Sequence, residues 1–237
     1  MMAKFVLIGG GDVGRGNSNY ETKEIDEEVV SMTEKENPNF LFIGLASHFS
    51  DSYYDTIKKI YQNLGCHCNY LKKKNILHNP DIVKKKIEDA DIIYFCGGDT
   101  VKLIHDVKEY DIVPLLEEAM KRTTVFVGMS AGAILLCEGG FSDSLLLRGE
   151  SDKHEFLTGL SFVNLNICPH YHSNSKKTEE LSDFLKNNRE LEVYCMENCT
   201  ALKVIDEKIE VIKSDKNRNV YLSHYKDQYI EKMLENR

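Results

Sequence analysis

The sequence predicts a three-layer α/β/α fold on a doubly wound, mostly parallel sheet, with a C-terminal β-hairpin. Three observations carry this. Short continuous apolar runs such as Phe5-Val-Leu-Ile8 and Phe40-Leu-Phe-Ile-Gly-Leu-Ala46 read as strands covered on both faces. Segments with helical spacing alternate with them, as βαβ units require. Glycine-rich turns at 9–11, 97–98 and 128–132 each follow a predicted strand. Right-handed crossovers place such turns along one sheet edge, where open α/β sheets bind ligands.

In chain order, Phe5–Ile8 is the first strand. Thr22–Thr33 is a helix with Ile25, Val29 and Met32 on one side, broken by Asn37-Pro38. Phe40–Ala46 is the second strand, and Ser52–Leu64 a helix with Tyr54, Ile57, Ile60 and Tyr61 inward and Gly65 as its C-cap. Cys68–Leu71 is a strand, Pro80–Asp89 a helix with Ile82, Val83 and Ile87 inward, and Asp91–Cys96 a strand. Two helices follow, one carrying Val101, Leu103 and Ile104, the other spanning Ile112–Met120. After strand Val125–Val127 and an apolar helix start, the rhythm breaks at Gly139. Residues 141–156 read as a polar, irregular loop, of the long kind that tends to be functional. Phe162–Cys168 is a strand and Thr178–Asn187 a helix. Leu191–Met196 and Ala201–Ile205 are strands, and Lys208–Lys213 with Asn219–Leu222 forms a terminal hairpin.

Bulk composition narrows the function. A net charge of −8, from 30 Lys+Arg against 38 Asp+Glu, argues against nucleic acid as a partner. Runs such as Lys72–Lys74 and Lys84–Lys86 read as solvated faces. Seven scattered cysteines, four of them in apolar runs, fit small buried hydrophobes in a reducing compartment. Neither Cys66-His67-Cys68 nor Cys195…Cys199 has paired zinc spacing, so no metal site is expected. The first apolar run is too short for a signal peptide and none approaches a membrane span, so we expect a cytoplasmic protein without membrane contact.

The stretch Thr124–Cys137 organises the chemistry. Gly128-Met-Ser-Ala-Gly132 is a G-x-S-x-G pattern between a strand and a helix, the context of a nucleophile elbow. A plain tight turn in which Ser130 caps the helix is the alternative. A serine nucleophile needs a base. His170 directly follows an apolar strand and Pro169, at the same sheet edge; His172 is the second candidate. The acid that orients the base is left open among Asp143, Glu150, Asp152 and Glu197, with Asp143 favoured. An oxyanion hole calls for two backbone N–H groups, and those of Ala131 and Gly98 are the expected donors. The 97–99 turn could instead cradle a phosphate. Gly9-Gly-Gly-Asp-Val-Gly14 matches a dinucleotide fingerprint only loosely, lacking the acid at the end of a second strand.

Gly97-Gly-Asp-Thr100, Gly128-Met-Ser-Ala-Gly-Ala133, Cys168-Pro-His-Tyr171 and Glu197-Asn-Cys-Thr-Ala201, in that order, resemble the alpha-aspartyl dipeptidase (peptidase E) and cyanophycinase family of serine hydrolases. With Gly9–Gly11 the resemblance spans nearly the whole chain. It implies one domain over residues 1–237 with the class I glutamine amidotransferase-like, flavodoxin-like fold. It implies Ser130 as nucleophile, His170 as base, Gly98 and Ala131 as oxyanion donors, no cofactor, and hydrolysis of a peptide or isopeptide bond beside an aspartyl residue. The chain departs from peptidase E at Asp99, where the family has Asn. It departs again at Gly140-Phe-Ser-Asp143, where the family's acid follows a Thr-Thr-Asn run. Asp99, Arg148 and Glu197 are the expected substrate-binding residues. The resulting expectation is a serine-type peptidase for short peptides, including dipeptides with N-terminal Asp, with a homodimer as the candidate assembly. The other readings are an amidotransferase-like or esterase-like hydrolase of a non-peptide substrate, and a catalytically silent ligand-binding module.

Overall fold

The computed structural model describes residues 3–173 and 175–235. Its elements run β1 (Lys4–Ile8), α1 (Lys23–Ser31), β2 (Asn39–Ile43), α2 (Asp51–Asn63), β3 (His67–Tyr70), α3 (Lys73–His78), α4 (Pro80–Asp89), β4 (Ile92–Phe95), α5 (Thr100–Glu109), α6 (Val113–Met120), β5 (Val125–Met129) and α7 (Ala131–Leu136). They continue with β6 (Cys137–Ser142), α8 (Ser144–Leu147), β7 (Glu155–Thr158), β8 (Val163–Cys168), α9 (Ser175–Asn187), β9 (Val193–Met196), β10 (Thr200–Ile205), β11 (Lys208–Lys213), β12 (Val220–Tyr225) and β13 (Tyr229–Met233).

The first half follows the predicted βαβ rhythm. A seven-stranded sheet has the order β11-β10-β1-β5-β4-β2-β3, in which β1, β5, β4, β2 and β3 are parallel. Strands β4 and β5 are buried along their whole length, as their unbroken apolar sequences require. Phe40, Tyr61 and Tyr94 fill one face of this sheet, the first two rings stacked at 4.0 Å. Two inward assignments are corrected. Tyr53 is buried while Tyr54 is only partly so, and Ile82 is 42% exposed. Both errors are one step around a helix, about 100°, which apolar spacing resolves poorly when the neighbouring residue is also apolar.

The second half differs from the sequence reading. The expected loop 141–156 contains the end of β6, helix α8 and the start of β7, and Phe141 pairs with Phe156. These strands belong to a second, six-stranded sheet, β13-β12-β9-β8-β6-β7, whose β6, β8 and β9 are parallel. The predicted terminal hairpin is also re-paired. β11 folds back on β10 through Asp206 and Glu207, both with positive φ, as a tight two-residue hairpin turn demands. β12 joins the second sheet between β9 and β13. Among the described residues, no helix is long and apolar enough to cross a membrane.

This architecture fixes where chemistry can occur. The C-terminal ends of β1, β4 and β5 in one sheet face those of β8 and β9 in the other. Gly9 donates its N–H to Thr200 and accepts from the N–H of His170 (2.9 and 2.8 Å). The N–H of Cys199 closes on the Gly10 carbonyl at 2.9 Å. The glycine turn after β1 is therefore the seam between the two sheets.

Candidate active site

Ser130 sits between β5 and α7 with φ 50° and ψ −104°, a conformation that an L-residue adopts only under strain. The flanking glycines explain why the sequence can form this turn. A Cβ on Gly128 would lie 2.3 Å from the Gly132 carbonyl oxygen, and one on Gly132 would lie 2.2 Å from that of Phe95. The elbow is thus folded tightly onto itself and onto β4, and any side chain at either glycine would force it open. The Ser130 N–H is held by the Ile8 carbonyl at 2.9 Å. Its hydroxyl opens into a cleft of about 710 Å³.

His170 follows β8 with φ 52°. Its backbone is fastened on both sides, by the Gly9 carbonyl and by the hydrogen bond from Tyr171 N–H to Met196 O at 2.9 Å. The imidazole Nε2 lies 2.9 Å from Ser130 Oγ, and Nδ1 lies 2.7 Å from Asn198 Oδ1. An amide oxygen only accepts, so the proton sits on Nδ1, and Nε2 is left to accept the serine hydroxyl. Burial lowers the His170 pKa below its usual value, and the positive charge of Lys177 adds to this; the Asn198 hydrogen bond and Asp143 oppose it. Lys177 is itself buried and donates to the Pro169 carbonyl at 2.6 Å.

The orienting partner is therefore an amide rather than the predicted Asp143. Asp143 precedes α8, acts on His170 only through its charge, and makes no side-chain hydrogen bond among the described residues. The hydroxyls beside it hold the fold together. Ser142 Oγ donates to Thr100 Oγ1 (2.9 Å) and Ser144 Oγ accepts from Thr100 N–H (2.7 Å), tying α5 to β6. Glu150 and Asp152 lie outside the cleft lining. Glu197 is turned away from it, accepting from Asn219 N–H at 2.7 Å and facing His172 Nδ1 at 3.2 Å. This removes both Glu197 as a substrate contact and His172 as the group beside the serine. Strand parity was the signal that could have found Asn198. Along β9 and its extension, Cys195 and Glu197 share one face, whereas Met196 and Asn198 share the face towards Gly9 and Gly10. A Cβ on Gly10, whose φ is 143°, would stand 2.4 Å from both His170 Nδ1 and Asn198 Oδ1. The glycine turn at 9–11 is thus what lets this pair close.

Gly98 and Ala131 are the expected oxyanion donors. Neither backbone N–H has a hydrogen-bond partner among the described residues; Gly98 lines the cleft with Ser130, and Ala131 follows it at the start of α7. Asp99 and Arg148 both border the cleft and pair with each other, Nε to Oδ2 at 2.8 Å, while Glu150 approaches the same guanidinium at 3.5 Å. All seven cysteines are free thiols.

A serine on a strained elbow, a neutral base against its hydroxyl and two unpaired N–H groups are the parts of an acyl-transfer centre. Residues 5–212 match the model of peptidase family S51. The chain belongs to that family. It is 28% identical over 211 residues to the uncharacterized peptidase YgaJ of Bacillus subtilis, covering 88% of this chain and 86% of that protein. It is 26% identical over 217 residues to peptidase E of a Nostoc species, covering 84% of each. Among solved structures, a peptidase from an acI-B1 actinobacterium superposes with a TM-score of 0.71 at 19% identity, covering 100% of this chain and 95% of that one. A proposed peptidase E from Listeria monocytogenes EGD-e gives 0.64 at 19% identity, covering 90% and 99%. Membership of S51 makes the chain a serine-type peptidase, and the neighbours share its fold.

Proposed function

We propose that this S51 peptidase hydrolyses short peptides through an acyl-enzyme on Ser130, with His170 as general base. The observation that carries the reading is the 2.9 Å contact between Nε2 and Oγ on the strained elbow. In the first half-reaction Oγ attacks the scissile carbonyl carbon and its proton passes to Nε2. The carbonyl oxygen becomes an oxyanion and accepts from the N–H groups of Gly98 and Ala131. The imidazolium returns the proton to the leaving amine and the C–N bond breaks. A water, losing its proton to Nε2, then hydrolyses the ester. Asn198 accepts from Nδ1–H throughout and keeps the ring in the tautomer this sequence needs.

The cleft volume suits a ligand of a few residues rather than a folded protein. The relatives' names, peptidase E and an uncharacterized peptidase, support a peptidase reading, and the resemblance to the alpha-aspartyl dipeptidase family makes substrates with N-terminal Asp the first to test. Release of amino acids from a dipeptide library by wild type and by Ser130→Ala decides the matter. Serine-dependent release from Asp-Xaa peptides is the expected result. Release that persists in Ser130→Ala overturns the mechanism, and serine-dependent release confined to other peptides overturns the aspartyl preference.

A further inference from the structure

The charges around the cleft do not balance evenly. Four side chains with permanent charge border it: Asp12, Arg15, Asp99 and Arg148. Arg148 is shared between Asp99 and Glu150, so its guanidinium is already over-matched by two carboxylates. Asp99 is spent on the same contact, and also caps α5 by accepting from Lys102 N–H at 3.0 Å. Arg15 differs. Among the described residues it makes no ion pair, and its Cζ stands 4.3 Å from the centre of the Tyr53 ring. Tyr53 is buried in the cleft wall, with its hydroxyl 3.2 Å from Met129 Sδ, one residue before the nucleophile. Stacking on an aromatic face fixes the plane of a guanidinium while leaving its N–H edge open to a second ligand.

Arg15 is held there by a built arm. Residues 12–21 fold back on themselves through a bridge between Val13 and Tyr20 and hydrogen bonds Gly14 N–H to Asn19 O (3.0 Å) and Glu21 N–H to Asp12 O (2.8 Å). The base of the arm is pinned to a fully buried carboxylate: Asp26 accepts from Thr22 Oγ1 (2.8 Å), Tyr20 Oη (3.0 Å) and Tyr61 Oη (2.7 Å). A loop that served only to connect β1 and α1 would not need three hydroxyls on a buried charge to hold its course.

We propose that Arg15, carried over the cleft by this arm and levelled on Tyr53, is the residue that receives a carboxylate of the bound peptide, in place of Arg148. The inference rests on the peptidase reading for the identity of the ligand as a peptide. The carboxylate has two sources, an acidic side chain or the peptide's C-terminus, and a charge-assisted fork contact suits either.

The test separates binding from turnover. Four peptides, Asp-Leu, Asn-Leu and the C-terminal amide of each, are titrated by calorimetry into Ser130→Ala and into Ser130→Ala/Arg15→Met. Arg15 is exposed, so its replacement leaves the fold intact, which circular dichroism checks. Loss of about 10- to 100-fold in affinity is expected for the peptides carrying the recognised carboxylate, and none for Asn-Leu amide. A loss that follows Asp over Asn identifies the side chain; one that follows the free acid over the amide identifies the C-terminus. Equal weakening of all four peptides, no weakening of any, or no binding of any peptide to the Arg15 protein overturns the proposal. Cleavage of the same peptides by the Ser130 enzyme is scored separately, so a failed peptidase reading shows as binding without serine-dependent turnover.

Discussion

Asn198→Asp places a carboxylate where an amide oxygen now stands 2.7 Å from His170 Nδ1. The wild-type ring is partly buried and lacks a hydrogen-bonded counter-charge, and its pKa lies below the usual histidine value. An opposite charge at this range raises the pKa of a neighbouring base by about one to three units. The acid limb of kcat/KM, which reports protonation of the free base, should move up by the same interval. If about half of the imidazolium charge exists in the transition state, kcat on the alkaline plateau rises about 3- to 30-fold. The assay is kcat/KM on a serine-dependent peptide between pH 5 and 9, for wild type, Asn198→Asp and Asn198→Ala. The alanine variant loses the group that fixes the tautomer and should lose about 10²- to 10⁴-fold in kcat, by analogy with disrupted triads elsewhere. An acid limb that stays in place in a folded Asn198→Asp protein would refute the reasoning, because either His170 is not the titrating base or Asn198 does not face it.

Three further predictions follow from the same geometry. Gly10→Ala drives a methyl group into His170 Nδ1 and Asn198 Oδ1, so kcat should fall at least about 100-fold while fluorophosphonate labelling of Ser130 slows in proportion; unchanged turnover would mean that the pair does not need this approach. Wild-type activity should hold constant through neutral pH and decline only below about 6.5, since burial lowers the pKa of His170 and the base works neutral; an acid limb above 7 contradicts this. Burial raises the Asp26 carboxyl to about 6, so folding favours its protonated form relative to the unfolded chain although it is ionised at neutral pH. That contribution is complete below about pH 4 and lost as pH rises through 6, a swing of about 3 kcal/mol that urea titrations of wild type should carry and Asp26→Asn should lack.

The elbow, the histidine beside it and the parallel half of the fold were legible in the sequence for one reason. Each is encoded locally, by an unbroken apolar strand, a glycine pair around a serine, or a histidine after a strand and a proline. The third member of the site was hidden because it is not local. Asp143 was attractive by its position between Ser130 and His170 and by its charge, yet the hydroxyls beside it tie α5 to β6. Asn198 lies 68 positions after the serine, just past a strand of another sheet, and an amide does not advertise itself as a triad member. The second sheet was equally obscure. Gly139 and Gly140 in β6 and the mixed polarity of β7 dilute the apolar signal, and only pairing with β8 and with each other gives those residues a strand to belong to. Arg148 was chosen by its loop position, and the structure shows two acids already on it.

The division of the site between two sheets bears on how its parts can vary. Ser130 and the two N–H groups rest on β4, β5 and their turns, with the Ser130 N–H held by Ile8 of β1 in the same sheet. His170 and Asn198 come from the ends of β8 and β9 and reach the serine only because the Gly9–Gly11 turn is bonded to both strands' loops. The elbow fixes the nucleophile by steric necessity, since its glycines tolerate no substituent. The partner of Nδ1 is fixed only by what projects from β9 past Gly10. A carboxylate at position 198 would fit the same space with one oxygen on Nδ1, so the choice of amide or acid there sets the basicity of His170 without disturbing the elbow. On the proposed mechanism, a site so divided tunes its base from one sheet while the other keeps the nucleophile and oxyanion geometry unchanged.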